Sequence, residues 1–334
     1  MRCARWFTAL LLGSGCAPSV GPPLPEFAFP GPGRLAVVWH VGEPDDLPQR
    51  RLVVYDGGAG LAVPVEQPLE VRWLGPDALL VLAERPARAI GEFPDAQLLR
   101  VREGSAPEPL GASHRYYNAE PSADGSRLLV GVELNDQGDS ALEVWSLSDE
   151  GLHPVARREL NLDEPRWAPD GDAVAVAWMV EPDSDEDGAS LGVGGVTLPW
   201  PRLFTLDSDL QGPLTRIHDA ARDAPPAAGG SLPLWWGADG LYGRQRAGIV
   251  RCASPESGCR LVFAAPQGRR VVEARPFEGE RALALLVATD SPELAPLSSE
   301  IWLVDLAAGR GAPVAAVPAG AFPLDLDWTP SVAR

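Results

Sequence analysis

The sequence predicts an all-β fold built from one repeated unit, and three observations carry that prediction. A turn signature recurs along the chain. The runs on either side of it alternate apolar and polar residues. Small polar turns rich in Gly, Asp and Pro bound those runs. The signature is clearest at Trp167-Ala168-Pro169-Asp170-Gly171. Without gaps it aligns with segments starting at Phe29, Trp73, Pro121, Trp236 and Arg275, and with a truncated copy at Trp328. The starts lie 44, 48, 46, 69, 39 and 53 residues apart. That is the period of a four-stranded propeller blade, ~40–50 residues, with one insertion.

Each unit has the same physical logic. A bulky residue ends the first strand. Pro or Asp followed by Gly makes a tight turn, in which Gly supplies the positive φ. A β-rich second run returns. The third runs are RLVVYD, QLLRVRE, LEVWSLS, RLFTLD, IVRCAS and EIWLVDL, and the fourth are LAVPVE, EPLGA, HPVARRE, PLTRI, CRLVFA and APVAAV. A lone four-stranded sheet cannot bury both faces, whereas a ring of them can. Six blades are predicted, with seven as the alternative. Leu324 to Trp328 is expected to pair with the N-terminal strands and so join the ends of the ring.

The W-x-P-D-G turn, with strands such as Ile301-Trp302-Leu303-Val304-Asp305 and Leu142-Glu143-Val144-Trp145-Ser146, resembles the TolB-type β-propeller repeat. Ala123-Asp124-Gly125 and Ala238-Asp239-Gly240 match in part, while the Phe29, Trp73 and Arg275 copies are degenerate. The resemblance implies a propeller over residues 27–330 and packing roles for Phe29, Trp73, Trp167, Trp236 and Trp328. TolB carries an extra α/β domain before its propeller, for which this sequence has no room, so the resemblance does not extend to TolB's partners.

The chain has 334 residues, 45% of them hydrophobic, and a net charge of −18; all 28 basic residues are Arg. That balance excludes nucleic acid as a partner, because phosphate binding needs clustered cations. Arg2 and Arg5, the apolar run Trp6 to Leu12 and the small residues before Cys16 form an export signal. The segment resembles a bacterial lipoprotein signal, which implies lipidation of Cys16, although Gly13 stands where that family prefers Leu. Ordinary signal-peptidase cleavage, which the small residues Gly13 and Gly15 allow, is the alternative. The expected organisation is a signal over 1–15, a tether over 16–26, the propeller over 27–330 and a tail over 331–334. Ala17, in place of an Asp, points toward the outer membrane, and the lipid is the expected membrane contact. Cys252 and Cys259 flank a six-residue turn between two strand runs and are expected to form a disulfide in an exported protein.

The long connections are expected on one face of the ring, and they carry Asp45 and Asp46, Asp136 and Asp139, and Asp183 through Asp187. Such a rim favours a cation or a basic protein surface; solvation alone would also account for it. Asp183, Asp185 and Asp187 open like a calcium loop, but Leu191 and Gly194 stand where the later ligands belong, so calcium is a weak candidate. Gly188-Ala189-Ser190-Leu191-Gly192 fits G-x-S-x-G outside the strand-to-helix context that a nucleophile needs. His40, His114, His153 and His218 are scattered. The expectation is a non-catalytic envelope lipoprotein that binds a protein or other ligand on its acidic, loop-rich face and needs no cofactor, with an envelope protein as the expected partner. A propeller hydrolase or lactonase with a metal at the central channel, and a calcium-stabilised structural module, are the alternatives.

Overall fold

A computed structural model describes residues 33–41, 49–56, 60–85, 95–135, 139–148, 151–160, 162–180, 200–217, 232–245, 248–253, 259–288, 299–314 and 321–330. These residues form 24 strands in six four-stranded antiparallel sheets, and so a six-bladed ring rather than a seven-bladed one.

The first blade is interlocked. Its three outer strands are β1 (Arg34–Val41), β2 (Gln49–Tyr55) and β3 (Leu61–Val63), and its innermost strand is the last of the chain, β24 (Ala321–Thr329). β1 pairs with β24 from Arg34–Thr329 to Val41–Ala321, which is the closure expected from the sequence. Trp328, opposite Leu35, takes the aromatic position at the Gly33 turn. Gly33 has φ +155, and a Cβ there would collide with the Trp328 indole. Phe29 lies outside the described residues.

The other blades run outward in chain order. The second holds β4 (Pro68–Trp73), β5 (Ala78–Glu84), β6 (Ala96–Arg102) and β7 (Glu108–Pro109). The third holds β8 (Tyr116–Pro121), β9 (Arg127–Glu133), β10 (Ser140–Ser148) and β11 (Gly151–Glu159). The fourth holds β12 (Leu162–Trp167), β13 (Ala173–Val180), β14 (Trp200–Asp207) and β15 (Thr215–Arg216). The fifth holds β16 (Leu232–Gly237), β17 (Gly240–Gln245), β18 (Gly248–Cys252) and β19 (Cys259–Ala264). The sixth holds β20 (Arg269–Phe277), β21 (Arg281–Ala288), β22 (Ser299–Asp305) and β23 (Arg310–Pro313).

Both faces of each second strand are buried against neighbouring blades, so these strands read as apolar runs, as in ALLVLAE and RLAVVWHV. The core is therefore six separate clusters, one between each pair of adjacent blades. Among the described residues the cluster between the fourth and fifth blades is the smallest, with Ala175, Leu203, Ile217, Leu241 and Cys252. The Cys252–Cys259 disulfide closes the outer hairpin of the fifth blade at that junction. In the chain-entropy account a loop this short contributes about 2 kcal/mol. The Cys252→Ala/Cys259→Ala variant is expected to lose about that much, read as a lowered midpoint in urea unfolding.

The ring is also held by a clasp that uses the repeat tryptophans. Trp167 Nε1 donates to the carbonyl of Glu120 in the preceding blade (3.1 Å), and Trp73 Nε1 to that of Asp327 (3.2 Å). The Arg127 guanidinium covers the Trp167 ring at 4.7 Å and donates to the Gly171 carbonyl; Arg34 does the same to Trp73 and Pro76. Trp73 and Trp167 are buried, while Trp236 and Trp328 are half-buried against the clusters beside them.

Candidate functional site

The innermost strands β4, β8, β12, β16, β20 and β24 surround the axis, and in every blade their pairing with the second strand slips once. The slips fall between Pro68 and Glu70, Tyr116 and Asn118, Asp163 and Arg166, Pro233 and Trp235, and Val271 and Glu273, and opposite Val38/Trp39 in the first blade. Such a bulge re-aims the side chains that follow it. The residues skipped at Leu69, Val272 and Leu324 pack into the inter-blade clusters. Charged residues just beyond them meet at the axis.

Three guanidinium groups and five carboxylates gather there from five blades: Arg72, Arg166 and Arg275 with Glu70, Glu120, Glu273, Asp325 and Asp327. Glu120 is the hub. It accepts from Arg72 Nε (3.1 Å) and from Arg275 Nη1 (3.1 Å), and Arg166 Nη1 lies 3.7 Å away. Arg72 Nη1 also donates to Asp325 Oδ2 at 2.6 Å, and Arg166 Nη2 to Glu273 Oε2 at 3.2 Å. The side chains of the three arginines are 2–5% exposed, so these are buried pairs. The fifth blade supplies no charge to this set; it offers the Leu234 carbonyl, which accepts from Arg166 Nε at 2.6 Å. Beside the cluster Arg244 pairs with Glu164.

The carboxylates also stitch one blade to the next through the backbone. Asp325 accepts from Val71 N (2.8 Å), Asp327 from Trp73 N (2.7 Å) and Glu70 from Ala119 N (3.3 Å).

Burial and charge move these groups in opposite directions. Desolvation opposes ionisation of Glu120, but the Arg275, Arg166 and Arg72 guanidinium groups outweigh it and hold the carboxyl at about 2. Glu273 is lowered in the same way against its own desolvation. Desolvation dominates at Glu70, raised to about 7, at Asp327, raised to about 6, and at Asp325, also raised. The cluster has two more acids than bases; Glu70 and Asp327 have only long arginine contacts, 3.9 and 3.8 Å, while Asp325 is raised by burial despite its 2.6 Å bond from Arg72.

Sequence reasoning did not single out these residues. The signal was present: Glu-x-Arg precedes the turn at 70–72, 164–166 and 273–275, and Asp-Leu-Asp precedes it at 325–327. One alignment is also corrected. The ungapped repeat put Arg275 at the aromatic position; the structure puts it at the axial position equivalent to Arg72 and Arg166, and Phe277 is the aromatic that packs. The turn after β20 is shorter than that after β12, so an ungapped alignment slips.

Cys16, Asp45, Asp46, Asp136, Asp183, Asp185, Asp187, Ser190 and His218 lie outside the described residues. Asp139 is tied to Asn135. His40 is buried and stacks on Phe322 at 4.4 Å, with its pKa lowered by desolvation and by Arg50. His114 bridges to Ala96, and His153 is exposed. No three His, Cys, Asp or Glu side chains among the described residues are grouped to hold a metal ion.

The fold and the axis together define a six-bladed propeller closed by its own last strand around an ionic plug. No protein-family model matches the chain, and no curated protein does. Among solved structures it is similar to a protein of Agrobacterium tumefaciens assigned as TolB, at a TM-score of 0.55 and 15% identity over 90% of this chain and 100% of that one. The propeller domain of the trilobed protease from Pyrococcus furiosus gives 0.52 at 12% identity, over 90% and 85%, and is described as having an open velcro topology. The hydrazine synthase of Kuenenia stuttgartiensis gives 0.56 at 10% identity, over 91% and 48%. At these identities the likeness shows the β-propeller fold, which TolB shares.

Proposed function

We propose that this protein is a non-catalytic scaffold of the bacterial cell envelope, anchored through a lipid on Cys16, that binds a protein partner on its loop-rich face. The observation that carries the reading is the state of the axis. Of the five axial carboxylates, Glu120, Glu273 and Asp325 are bound to guanidinium groups, and the charged residues lie just before the short first turns. A metal hydrolase would need carboxylates left open to an ion and a bound water. Here the arginines take that place, and the axis serves to join blades.

The strand ends joined by the second-to-third and fourth-to-first connections lie opposite the short first turns. In sequence those connections span positions 42–48, 86–94, 181–199, 218–231 and 289–298, which lie outside the described residues. Long insertions on one face of a repeat ring are where partners bind. The acidic residues in them favour a partner with a basic surface.

Mass spectrometry of the protein from its native membrane is expected to find diacylglyceryl on Cys16. In-cell cross-linking is expected to capture one envelope protein, and the triple replacement of Asp183, Asp185 and Asp187 by Asn is expected to weaken that capture several-fold. An unlipidated chain that starts elsewhere, or capture unchanged by the triple replacement, would overturn the anchor or the docking face respectively.

A further inference from the structure

One buried acceptor in the axis lacks a partner, and the sequence of the next blade explains why. In the first two blades the acid three residues before the turn position reaches across and accepts from a backbone N–H of the following blade: Asp325 from Val71, Glu70 from Ala119. The equivalent residue of the third blade is Asn118, 5% exposed, and the equivalent position of the fourth blade is Pro165. Proline has no N–H. Oδ1 of Asn118 is left buried with no donor. A buried acceptor without a partner costs about 1–3 kcal/mol, so a donor there has a strong drive to form.

An acid lies against the same stretch of backbone. The Glu70 carboxylate lies against the peptide that joins Asn118 to Ala119, with Oε2 3.3 Å from Ala119 N. Its ion pair to Arg72 is long, at 3.9 Å, and Arg72 is occupied by Asp325 and Glu120. Burial is the largest influence on Glu70 and favours its neutral form; among charges, Arg72 on its own strand and Arg166 from β12 act to hold it ionised, and Asp325 from β24 acts to neutralise it. From β8 it receives only the Ala119 N–H, while Glu120 and, from β20, Glu273 and Arg275 draw on the shared arginines. Five carboxylates against three guanidinium groups leave the axis short of positive charge.

We propose that Glu70 is held as a neutral carboxylic acid in the folded ring, donating its O–H to Oδ1 of Asn118, and that loss of this proton loosens the seam between the second and third blades. The proton enters from solvent, since the Glu70 side chain keeps 22% of its surface exposed. No covalent bond changes. The seam becomes sensitive to pH across the neutral range, because an acid raised on folding stabilises the fold fully below its ordinary value near 4.5 and loses that contribution as pH rises through its folded value, about 7. Asp327 and Asp325 shift in the same direction, so the Glu70 contribution has to be read as a difference between variants.

The test follows the carboxylic-acid C=O stretch by infrared difference spectroscopy, with thermal melts from pH 5 to pH 8, on the intact chain. Wild type is expected to show protonated-acid absorption that titrates near neutrality, and the wild type minus Glu70→Gln difference is expected to isolate one band from that absorption. That variant keeps a donor for Asn118 and is expected to melt above wild type at pH 8. Pro165→Ala restores the missing backbone N–H to Asn118, and the midpoint of the Glu70 band is expected to fall by about one pH unit or more, which is about tenfold in proton affinity. A protonated-acid band equal in intensity in wild type and Glu70→Gln would overturn the proposal, as would Glu70→Gln melting below wild type throughout, or a Pro165→Ala midpoint equal to that of wild type.

Discussion

Deletion of residues 321–334 is expected to abolish cooperative folding. The deletion removes β24, the innermost strand of the first blade. It strips β1, buried along its whole length, of one of its two ladders. It takes Ala321 and Leu326 from the cluster between the sixth and first blades, and it opens the face on which Trp39 and Tyr55 are buried. It also removes Asp325 and Asp327, the acids that accept from Val71 and Trp73 and stitch the first blade to the second. Eight ladder positions at roughly 1 kcal/mol each, with the apolar area lost, come to on the order of 10 kcal/mol. That is comparable with the whole stability of a typical domain, ~5–15 kcal/mol. Circular dichroism melts check this: the deletion should show no sharp transition, while deletion of 331–334 alone should melt like the full chain. A permutant that places residues 321–330 ahead of Gly33 should recover the transition. A sharp transition in the 321–334 deletion would show that the blades hold together without the interlock.

Glu120→Gln is expected to cost about 3–5 kcal/mol, the usual result of removing one member of a buried ionic set. Glutamine keeps the shape but no longer neutralises Arg72, Arg166 and Arg275, which converge on this one side chain. Those arginines are almost fully buried and cannot turn to water. In a protein of this size the loss should lower the melting temperature by roughly 10 °C. Glu120→Gln combined with Arg275→Gln should cost less than the sum of the two single changes, since each relieves the other's unpaired group. The acid limb of the stability curve gives an independent check. Glu120 is held at about 2 in the fold, so its contribution is present above the ordinary value near 4.5 and is lost as pH falls toward 2. The wild-type curve should therefore fall more steeply below pH 4 than that of the variant. Equal acid limbs would mean that Glu120 is not the hub of the axis.

The repeat was legible because each blade needs the same local chemistry. Gly171, at φ +74, makes the turn, and Trp167 must precede it to reach the Glu120 carbonyl of the blade before. That requirement is written within ten residues and repeated, so an ungapped alignment finds it. The same alignment failed at Arg275, where the turn is shorter and the packing aromatic is Phe277. The disulfide was legible because its two cysteines face each other across one hairpin.

The axial site was not legible, for a different reason. Glu70, Glu120, Arg166, Arg275 and Asp325 are spread over some 250 residues and become neighbours only when the ring closes. Their local pattern, charge alternating with an apolar residue before a turn, reads as an ordinary half-exposed strand. Period-2 patterning assigns residues to faces only while the pairing stays in register. The bulge in every innermost strand breaks that register and sends Leu69, Val272 and Leu324 into the inter-blade clusters, with the charges that follow directed to the axis.

The amino-acid sequence by itself determined the unit, its number of strands, its recurrence and the strand that closes the ring, because turn chemistry and hydrophobic alternation act over short distances. Only the tertiary structure decided what the ring encloses. Five carboxylates and three guanidinium groups set their ionisation through desolvation and mutual charge, and both exist only once six blades have excluded water from the axis.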